Sequence, residues 1–220
     1  MRAVVFAYHD VGVNCLNELI KAGVQVDLVV THQDDPNENV WFGSVAKLCQ
    51  EKNITYITPS AIELVNLVPQ LQALAPDYIF SFYYRHMIPA QILACAKIAA
   101  LNMHGSLLPK YRGRAPVNWA ILHGETETGA TLHIMEEKPD AGDIVGQSAV
   151  SIGPDETATD VFAKVSKAAV NVIHEAIPAL LQGNVPRKPN DLQKGSYFGG
   201  RKPADGQIHW NQTAKQVHDL

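Results

Sequence analysis

Cysteine is scarce in this sequence: only Cys15, Cys49 and Cys95 occur among 220 residues, and they are isolated from one another. Their spacing does not fit a set of metal ligands, and an odd number of isolated thiols is typical of a reduced compartment. No apolar run approaches the roughly 20 residues that span a membrane. The start of the chain, residues 1–7, is too short for a signal peptide. We therefore expect a cytoplasmic protein with no membrane insertion.

Two nucleotide-binding fingerprints are also missing. The first apolar run leads into residues 8–12 without a Gly-x-Gly-x-x-Gly, so we expect no NAD on this domain. No Gly-x-x-x-x-Gly-Lys-Ser/Thr occurs, which excludes a P-loop ATPase. The net charge of -4 argues against a nucleic-acid partner held by a basic surface. The acidic residues Asp34, Asp35 and Glu38 are interpreted as a solvated loop, and we expect no metal site.

Short apolar runs alternate with amphipathic stretches along the first hundred residues. Strands are predicted over 2–7, 25–31, 55–57, 78–82 and 99–103, and helices over 14–21, 45–51 and 61–74. This alternation predicts an α/β fold, a Rossmann-like and mostly parallel sheet with helices on both faces. Two more strands, 131–135 and 144–151, and a long amphipathic helix over 159–181 follow.

The composition changes after the long predicted helix. Residues 182–206 are rich in Gly, Pro and Lys, which is typical of a linker. We accordingly predict a first domain over 1–190, a linker over 191–206 and the beginning of a further subdomain over 207–220, with the bounds taken from the family resemblance described below.

The most informative stretch is 102–116, which begins with Asn102 and His104 directly after an apolar run. Period-2 alternation places both side chains on one face at the carboxyl end of a strand. In an open α/β sheet, ligands bind at that end. A neutral amide beside a titratable ring suits a reaction whose transition state develops an oxyanion. Arg112 and Arg114 lie in the loop that follows.

The string Asn-x-His-x-Ser-Leu-Leu-Pro-x-x-Arg-Gly, present here over 102–113, resembles the signature of the folate-dependent formyltransferases. Residues 138–145 resemble the downstream segment of that family. The resemblance implies that Asn102, His104 and Asp140 form the catalytic trio and that 10-formyltetrahydrofolate is the co-substrate. It also implies a folate site made of His86, Met87, Ile88, Arg114, Glu136, Glu137, Lys138, Pro139 and Asp140. Residues 207–220 resemble the opening of the family's small C-terminal β-barrel, and we expect the chain to be part of a longer polypeptide.

The chemistry of the trio follows from charge development on the formyl oxygen. The amide of Asn102 and a protonated His104 would donate hydrogen bonds to that oxygen, and His104 would pass a proton to the departing folate nitrogen. We expect Asp140 to raise the pKa of His104, because a nearby negative charge favours the imidazolium. The group that accepts the proton of the attacking amine is left open. Ser106 needs no activation, because the amine itself attacks.

The acceptor is predicted from three further strings, residues 5–10, 81–86 and 124–129. They resemble the subgroup that formylates the 4-amine of UDP-4-amino-4-deoxy-L-arabinose, a step in lipid A modification and polymyxin resistance. In that subgroup a dehydrogenase/decarboxylase domain follows. The tRNA-directed members carry a basic segment where residues 31–39 are acidic here, and phosphate repulsion disfavours RNA. Another nucleotide-linked amino sugar, methionyl-tRNA, a formyltetrahydrofolate hydrolase and a non-catalytic folate- or nucleotide-binding module remain the alternatives.

Overall fold

The computed structural model describes all 220 residues. The strands are β1 (Arg2–Ala7), β2 (Gln25–Val30), β3 (Tyr56–Ile57), β4 (Tyr78–Phe82), β5 (Ala99–His104), β6 (Arg112–Gly113), β7 (Glu127–Ile134), β8 (Ile144–Ser151) and β9 (Tyr197–Phe198). The α-helices are α1 (His9–Lys21), α2 (Val45–Lys52), α3 (Val68–Leu74), α4 (Ala90–Leu93), α5 (Pro116–Leu122), α6 (Ala158–Leu181) and α7 (Ala214–His218). Short 3-10 helices occupy Glu63–Leu67, Leu192–Lys194 and Pro203–Gly206.

A seven-stranded sheet in the order β3-β2-β1-β4-β5-β7-β8 forms the centre of the molecule. The strands β1 to β5 pair in parallel, and β7 and β8 extend the sheet in antiparallel fashion. Successive residues of β1 belong to two hydrophobic clusters, one on each face of the sheet. Val5 packs in the cluster that contains α1 and α6, and Phe6 packs in the cluster that contains residues of α3 and α4. The predicted α/β fold, with a mostly parallel sheet covered on both faces, is confirmed.

The order of the strands creates the place for a site. The chain leaves β1 toward β2 and β3 on one side, and it returns to place β4 and β5 on the other. Ligands in open α/β sheets bind at such a switch point, outside the carboxyl ends of the strands. The register places Asn102 of β5 beside Ser81 of β4 and opposite His133 of β7. The end of β5 therefore lies between a parallel and an antiparallel neighbour.

Several element boundaries differ from those predicted. Helix α1 begins at His9 rather than residue 14, directly after the extended Tyr8. The predicted helix 61–74 is divided into a 3-10 helix and α3. Pro69 lies in the first turn of α3, where N–H groups have no partner within the helix, so the N–H that proline lacks costs no hydrogen bond. Strand β7 begins at Glu127 rather than residue 131. The short helices α4 and α5 had no clear periodic signal.

Part of the segment predicted as a linker, 191–206, pairs with the loop that follows β5. Its strand β9 pairs in parallel with β6, and together they form a second, two-stranded sheet. The frequent Gly and Pro residues of this segment indicate a linker. The pairing of β9 with β6 uses main-chain groups, which every residue type carries, so composition does not reveal it. Residues 207–220 contain α7 and no strand, so the β-barrel stays a prediction. None of the helices is both long and apolar enough to cross a membrane.

Candidate active site

A cleft of about 880 Å³ opens at the carboxyl ends of β1, β4 and β5. Asn102 and His104 line it from β5, and Asp140 lines it from the turn between β7 and β8. The structure therefore brings together the three residues that the sequence predicted as a trio from two separate segments.

His104 and Asp140 are held by the main chain as well as by each other. The Nδ1 atom of His104 lies 3.5 Å from Oδ1 of Asp140. On the other side of the ring, Nε2 lies 2.8 Å from the carbonyl oxygen of Tyr111, and Nε2 must donate because a carbonyl only accepts. The N–H of Gly113 donates to Oδ2 of Asp140 at 2.8 Å. Both side chains thus depend on the loop at residues 111–113 for their orientation.

The electrostatics of this pair differ from the prediction. Burial lowers the pKa of His104, and the effects of Asp140 and the Tyr111 carbonyl, which raise that pKa, do not compensate. Asp140 does raise the pKa of His104, as expected, but the expected net increase is wrong, because burial of the ring lowers the pKa by more and desolvation is not visible in the sequence. Burial by itself raises the pKa of Asp140, but the charges of His104 and His133 and the N–H of Gly113 lower it to about 2. At neutral pH, a neutral imidazole therefore faces a carboxylate.

His133 is a residue of this site that the sequence analysis missed. Its Nε2 atom lies 3.1 Å from Nδ2 of Asn102 and 3.4 Å from Oδ1 of Asp140. Its Nδ1 donates to the carbonyl oxygen of Ile134 at 2.8 Å, so a neutral His133 accepts the amide hydrogen of Asn102. A histidine inside a buried strand was the available signal, but only the β5–β7 register connects it with Asn102.

The backbone around the cleft is strained. Seven non-glycine residues adopt a positive φ, and two of them, Asn53 and Ala75, are ordinary C-caps of helices. The other five line the cleft or contact its trio: His9, Tyr83, Tyr111, Ala115 and Asp140. Each costs on the order of 1–3 kcal/mol and persists only where the surroundings enforce it. Such strain is concentrated at functional sites, which agrees with the location of the trio.

Most of the residues predicted to bind the folate lie around the same cleft. Those that line it are His86, Met87, Ile88, Arg114, Glu136, Pro139 and Asp140. Glu137 and Lys138 are exposed and do not line it. Arg114 is exposed and forms no ion pair within the chain, and Met87 is 67% exposed. The assignment of these residues to a folate site stays a prediction.

A second set of side chains that line the cleft is aromatic, and sequence analysis did not identify it. His9 contacts Trp41 and Phe162, with ring centroids 4.8 Å and 4.9 Å apart. Trp41 is 59% exposed and lines the cleft. Nearby, both guanidinium nitrogens of Arg85 donate to Glu38 at 2.7 Å. The four segments that supply these side chains are far apart in the sequence, which is why no motif revealed them.

The fold and the site together define a class of protein. An amide, an imidazole and a carboxylate line the cleft at the carboxyl ends of the strands. Ser106 does not line it, and its hydroxyl donates to the carbonyl oxygen of Lys110 at 2.6 Å. This arrangement suits a group-transfer enzyme in which the acceptor substrate itself attacks. Residues 1–177 match the formyl transferase family, and the chain belongs to it.

Three solved structures show how widely the fold is shared. An N-formyltransferase from Helicobacter canadensis, in complex with folinic acid and dTDP-3-aminofucose, has a TM-score of 0.81 at 22% identity, over 99% of this chain and 78% of that one. A 4-N formyltransferase from Francisella tularensis has a TM-score of 0.78 at 25% identity, over 99% of this chain and 85% of that one. Glycinamide ribonucleotide transformylase 1 from Symbiobacterium toebii has a TM-score of 0.73 at 21% identity, over 86% of this chain and 92% of that one. The predicted class, a folate-dependent N-formyltransferase, is confirmed.

Proposed function

We propose that the chain transfers the formyl group of 10-formyltetrahydrofolate to the 4-amine of UDP-4-amino-4-deoxy-L-arabinose, in lipid A modification and polymyxin resistance. In this proposal it corresponds to the formyltransferase domain of the bifunctional polymyxin-resistance protein, which it resembles. The observation that carries the proposal is one cleft lined by two different sets of side chains, a polar set that contains the trio and an aromatic set that contains His9, Trp41 and Phe162. We call them the polar end and the aromatic end. The Helicobacter canadensis enzyme was solved with a folate and a nucleotide amino sugar together.

The polar end of the cleft fits a folate. Met87, Ile88 and Met135 supply apolar walls for a flat ring, and the cleft lies within the usual size range of small-molecule sites. Arg114 at the rim is an unpaired cation, and the glutamate tail of a folate carries carboxylates. We assign the pterin ring to the segments 86–88 and 136–140 and the tail to Arg114.

The aromatic end fits a nucleotide-linked sugar better than an RNA. Exposed Trp41 next to His9 and Phe162 offers ring faces to a base or to the apolar face of a sugar. The neighbouring loop is acidic, and the guanidinium of Arg85 is already paired with Glu38. A tRNA needs a row of cations along its long phosphate backbone, which this acidic surface does not supply, whereas a nucleotide-linked sugar carries only a diphosphate.

The direction of the His104 pKa supports a role for this ring that the sequence left open. A neutral His104 accepts the proton of the attacking amine at Nδ1, and the resulting imidazolium lies between the Asp140 carboxylate and the Tyr111 carbonyl. The same proton then passes from His104 to the folate N10 as the bond from N10 to the formyl carbon breaks. The side-chain amide of Asn102 carries two hydrogens. One is donated to His133, and in this proposal the other is donated to the formyl oxygen.

The test compares acceptors in one assay. The protein is mixed with 10-formyltetrahydrofolate, and tetrahydrofolate and the formylated product are followed with UDP-4-amino-4-deoxy-L-arabinose, a dTDP-linked amino sugar, methionyl-tRNA or no acceptor. We expect product with the UDP sugar, lost in His104→Ala. Faster turnover of another acceptor overturns the assignment of the acceptor, and formate release without any acceptor identifies a hydrolase.

We further propose that residues 1–190 are the catalytic domain, that 191–206 connect it to a β-barrel subdomain beginning at 207–220, and that a dehydrogenase/decarboxylase domain belongs to the same polypeptide. HypX from Aquifex aeolicus, matched over 33% of its length, has this fold within a longer chain. Limited proteolysis of the natural full-length protein tests the boundaries: we expect cleavage within 200–206, and a first cut before residue 190 or after residue 206 contradicts them.

A further inference from the structure

Two main-chain groups orient the catalytic pair, and both belong to one short loop. The carbonyl of Tyr111 receives the hydrogen bond of His104, and the N–H of Gly113 binds Asp140. Tyr111 has a positive φ, which a non-glycine residue seldom adopts, so the conformation at this residue is not one that the local sequence favours. Some other part of the molecule must therefore hold it.

That part is the segment 195–199, which lies beyond the residues matched by the family. The N–H of Arg112 donates to the carbonyl of Ser196 at 3.0 Å, and the N–H of Arg114 donates to that of Phe198 at 2.9 Å. The hydroxyl of Ser196 accepts from the N–H of Tyr111 at 2.8 Å. The two strands approach so closely that a side chain at Gly113 would collide with the carbonyl oxygen of Phe198.

The ring of Phe198 adds a second attachment. It stacks on Tyr111, with centroids 5.4 Å apart and an interplanar angle of 21°, and on Trp119 at 5.2 Å and 25°. The indole N–H of Trp119 donates to the carbonyl oxygen of Gly199 at 2.9 Å. The loop that carries Tyr111 is thus fixed between helix α5 and the segment 195–199, by hydrogen bonds on its main chain and by stacked rings on its side chains.

We propose that the segment 195–199 is a positioning clasp for the catalytic pair, with Ser196 and Phe198 as positioning residues. Neither side chain lines the cleft, so neither contacts a substrate there. They act through Tyr111 and Gly113, whose main-chain groups set the ring of His104 and the carboxylate of Asp140. The inference rests on the proposed roles of His104 and Asp140, and it does not depend on which amine is the acceptor.

The test uses Phe198→Ala and Ser196→Ala, with Phe198→Tyr as the conservative variant. Trp210→Ala is the matched control, because this aromatic residue of the same C-terminal region is 82% exposed and makes no ring contact. Steady-state kinetics give kcat and KM, and NMR gives the titration of the His104 imidazole without any substrate. The His104 signal is identified by its loss in His104→Ala.

We expect Phe198→Ala to lower kcat by roughly ten- to a hundredfold, since a misplaced catalytic group costs rate more than binding, with little change in KM. The titration of His104 should also change, because its pKa depends first on the burial of the ring, which lowers it, and then on Asp140 and the Tyr111 carbonyl, which raise it. All three depend on the position of the ring. Phe198→Tyr should restore both values, and Ser196→Ala should show the same pattern, only smaller.

Unchanged kcat and an unchanged His104 titration in folded Phe198→Ala and Ser196→Ala overturn the clasp. A fall in melting temperature with no change in either readout also overturns it, since it shows a purely structural role. If Phe198→Ala does not fold, the milder variant Ser196→Ala tests the proposal by itself, through the same kcat and His104 titration measurements. Failure of the proposed function is distinguishable, because His104→Ala would then keep full activity whatever the clasp variants do.

Discussion

The two ends of the cleft are built by different means. At the polar end, His104, Asp140 and Asn102 each have partners at hydrogen-bonding or ion-pair distances. At the aromatic end, His9 and Trp41 are held by ring contacts, and Trp41 remains largely exposed. Buried polar groups need partners with defined geometry, whereas ring contacts tolerate adjustment. From this comparison we predict that changes at the polar end lower the rate of the reaction and that changes at the aromatic end weaken the binding of the acceptor.

The largest effect is expected at the polar end. His104→Ala removes the group that accepts and returns the proton, and kcat should fall by roughly 10²–10⁴, with KM nearly unchanged. Steady-state turnover of 10-formyltetrahydrofolate measures this. His174→Ala is the control, since that ring is exposed and paired only with Glu18. A fall of less than about tenfold would contradict the proton-transfer role.

The next effect concerns the partner of the ring. Asp140→Asn should lower kcat by roughly 10²–10³, because the imidazolium formed during the reaction loses its counter-charge. Since Asp140 raises the pKa of His104, the acidic limb of the kcat profile should also move to lower pH. Rates measured from pH 5 to pH 8 test both points, with the exposed Asp155→Asn as control. An acidic limb that moves to higher pH contradicts the assignment.

A smaller effect is expected at the aromatic end. Trp41→Ala should raise KM for the nucleotide sugar about two- to tenfold, the range that corresponds to the loss of one aromatic contact, and should leave kcat and KM for the folate nearly unchanged. Trp210→Ala is the control, as this residue is far more exposed than Trp41 and does not line the cleft. If Trp41→Ala lowers kcat instead, the division of labour between the two ends is wrong.

The smallest effect is on stability. The pKa of His104 is lowered in the folded protein, so its ring is neutral there, whereas the unfolded chain binds a proton below about pH 6.5. The free energy of unfolding should therefore decrease as pH falls below that value, and His104→Gln should remove part of the decrease. His9 and His32, whose pKa values burial also lowers, contribute to the remainder. At more acidic pH the carboxyl group of Asp140, whose pKa is lowered to about 2, contributes as well. Urea unfolding at several pH values measures the decrease, and equal slopes in both proteins contradict the prediction.

Much of the fold could be predicted because its signals are local. The apolar runs of β1, β2, β4 and β5 bury on both faces of the sheet, and such runs are recognisable without knowledge of their neighbours. Helix α1 was placed too late because residues 9–13 have no amphipathic pattern strong enough to mark its start. The pairing of β6 with β9 was missed, since two-residue strands have no period and are defined only by the partner that they meet.

The same division applies to the site. The class of fold and the candidate chemical groups could be read from local sequence, because a strand's alternation and a signature of contiguous residues require no long-range contact. The contact of His133 with Asn102, the attachment of the Tyr111 loop to residues 195–199 and the neutral state of His104 could not. These features depend on register, on contacts between distant segments and on the removal of water from a buried ring. Each of them exists only once the chain has folded.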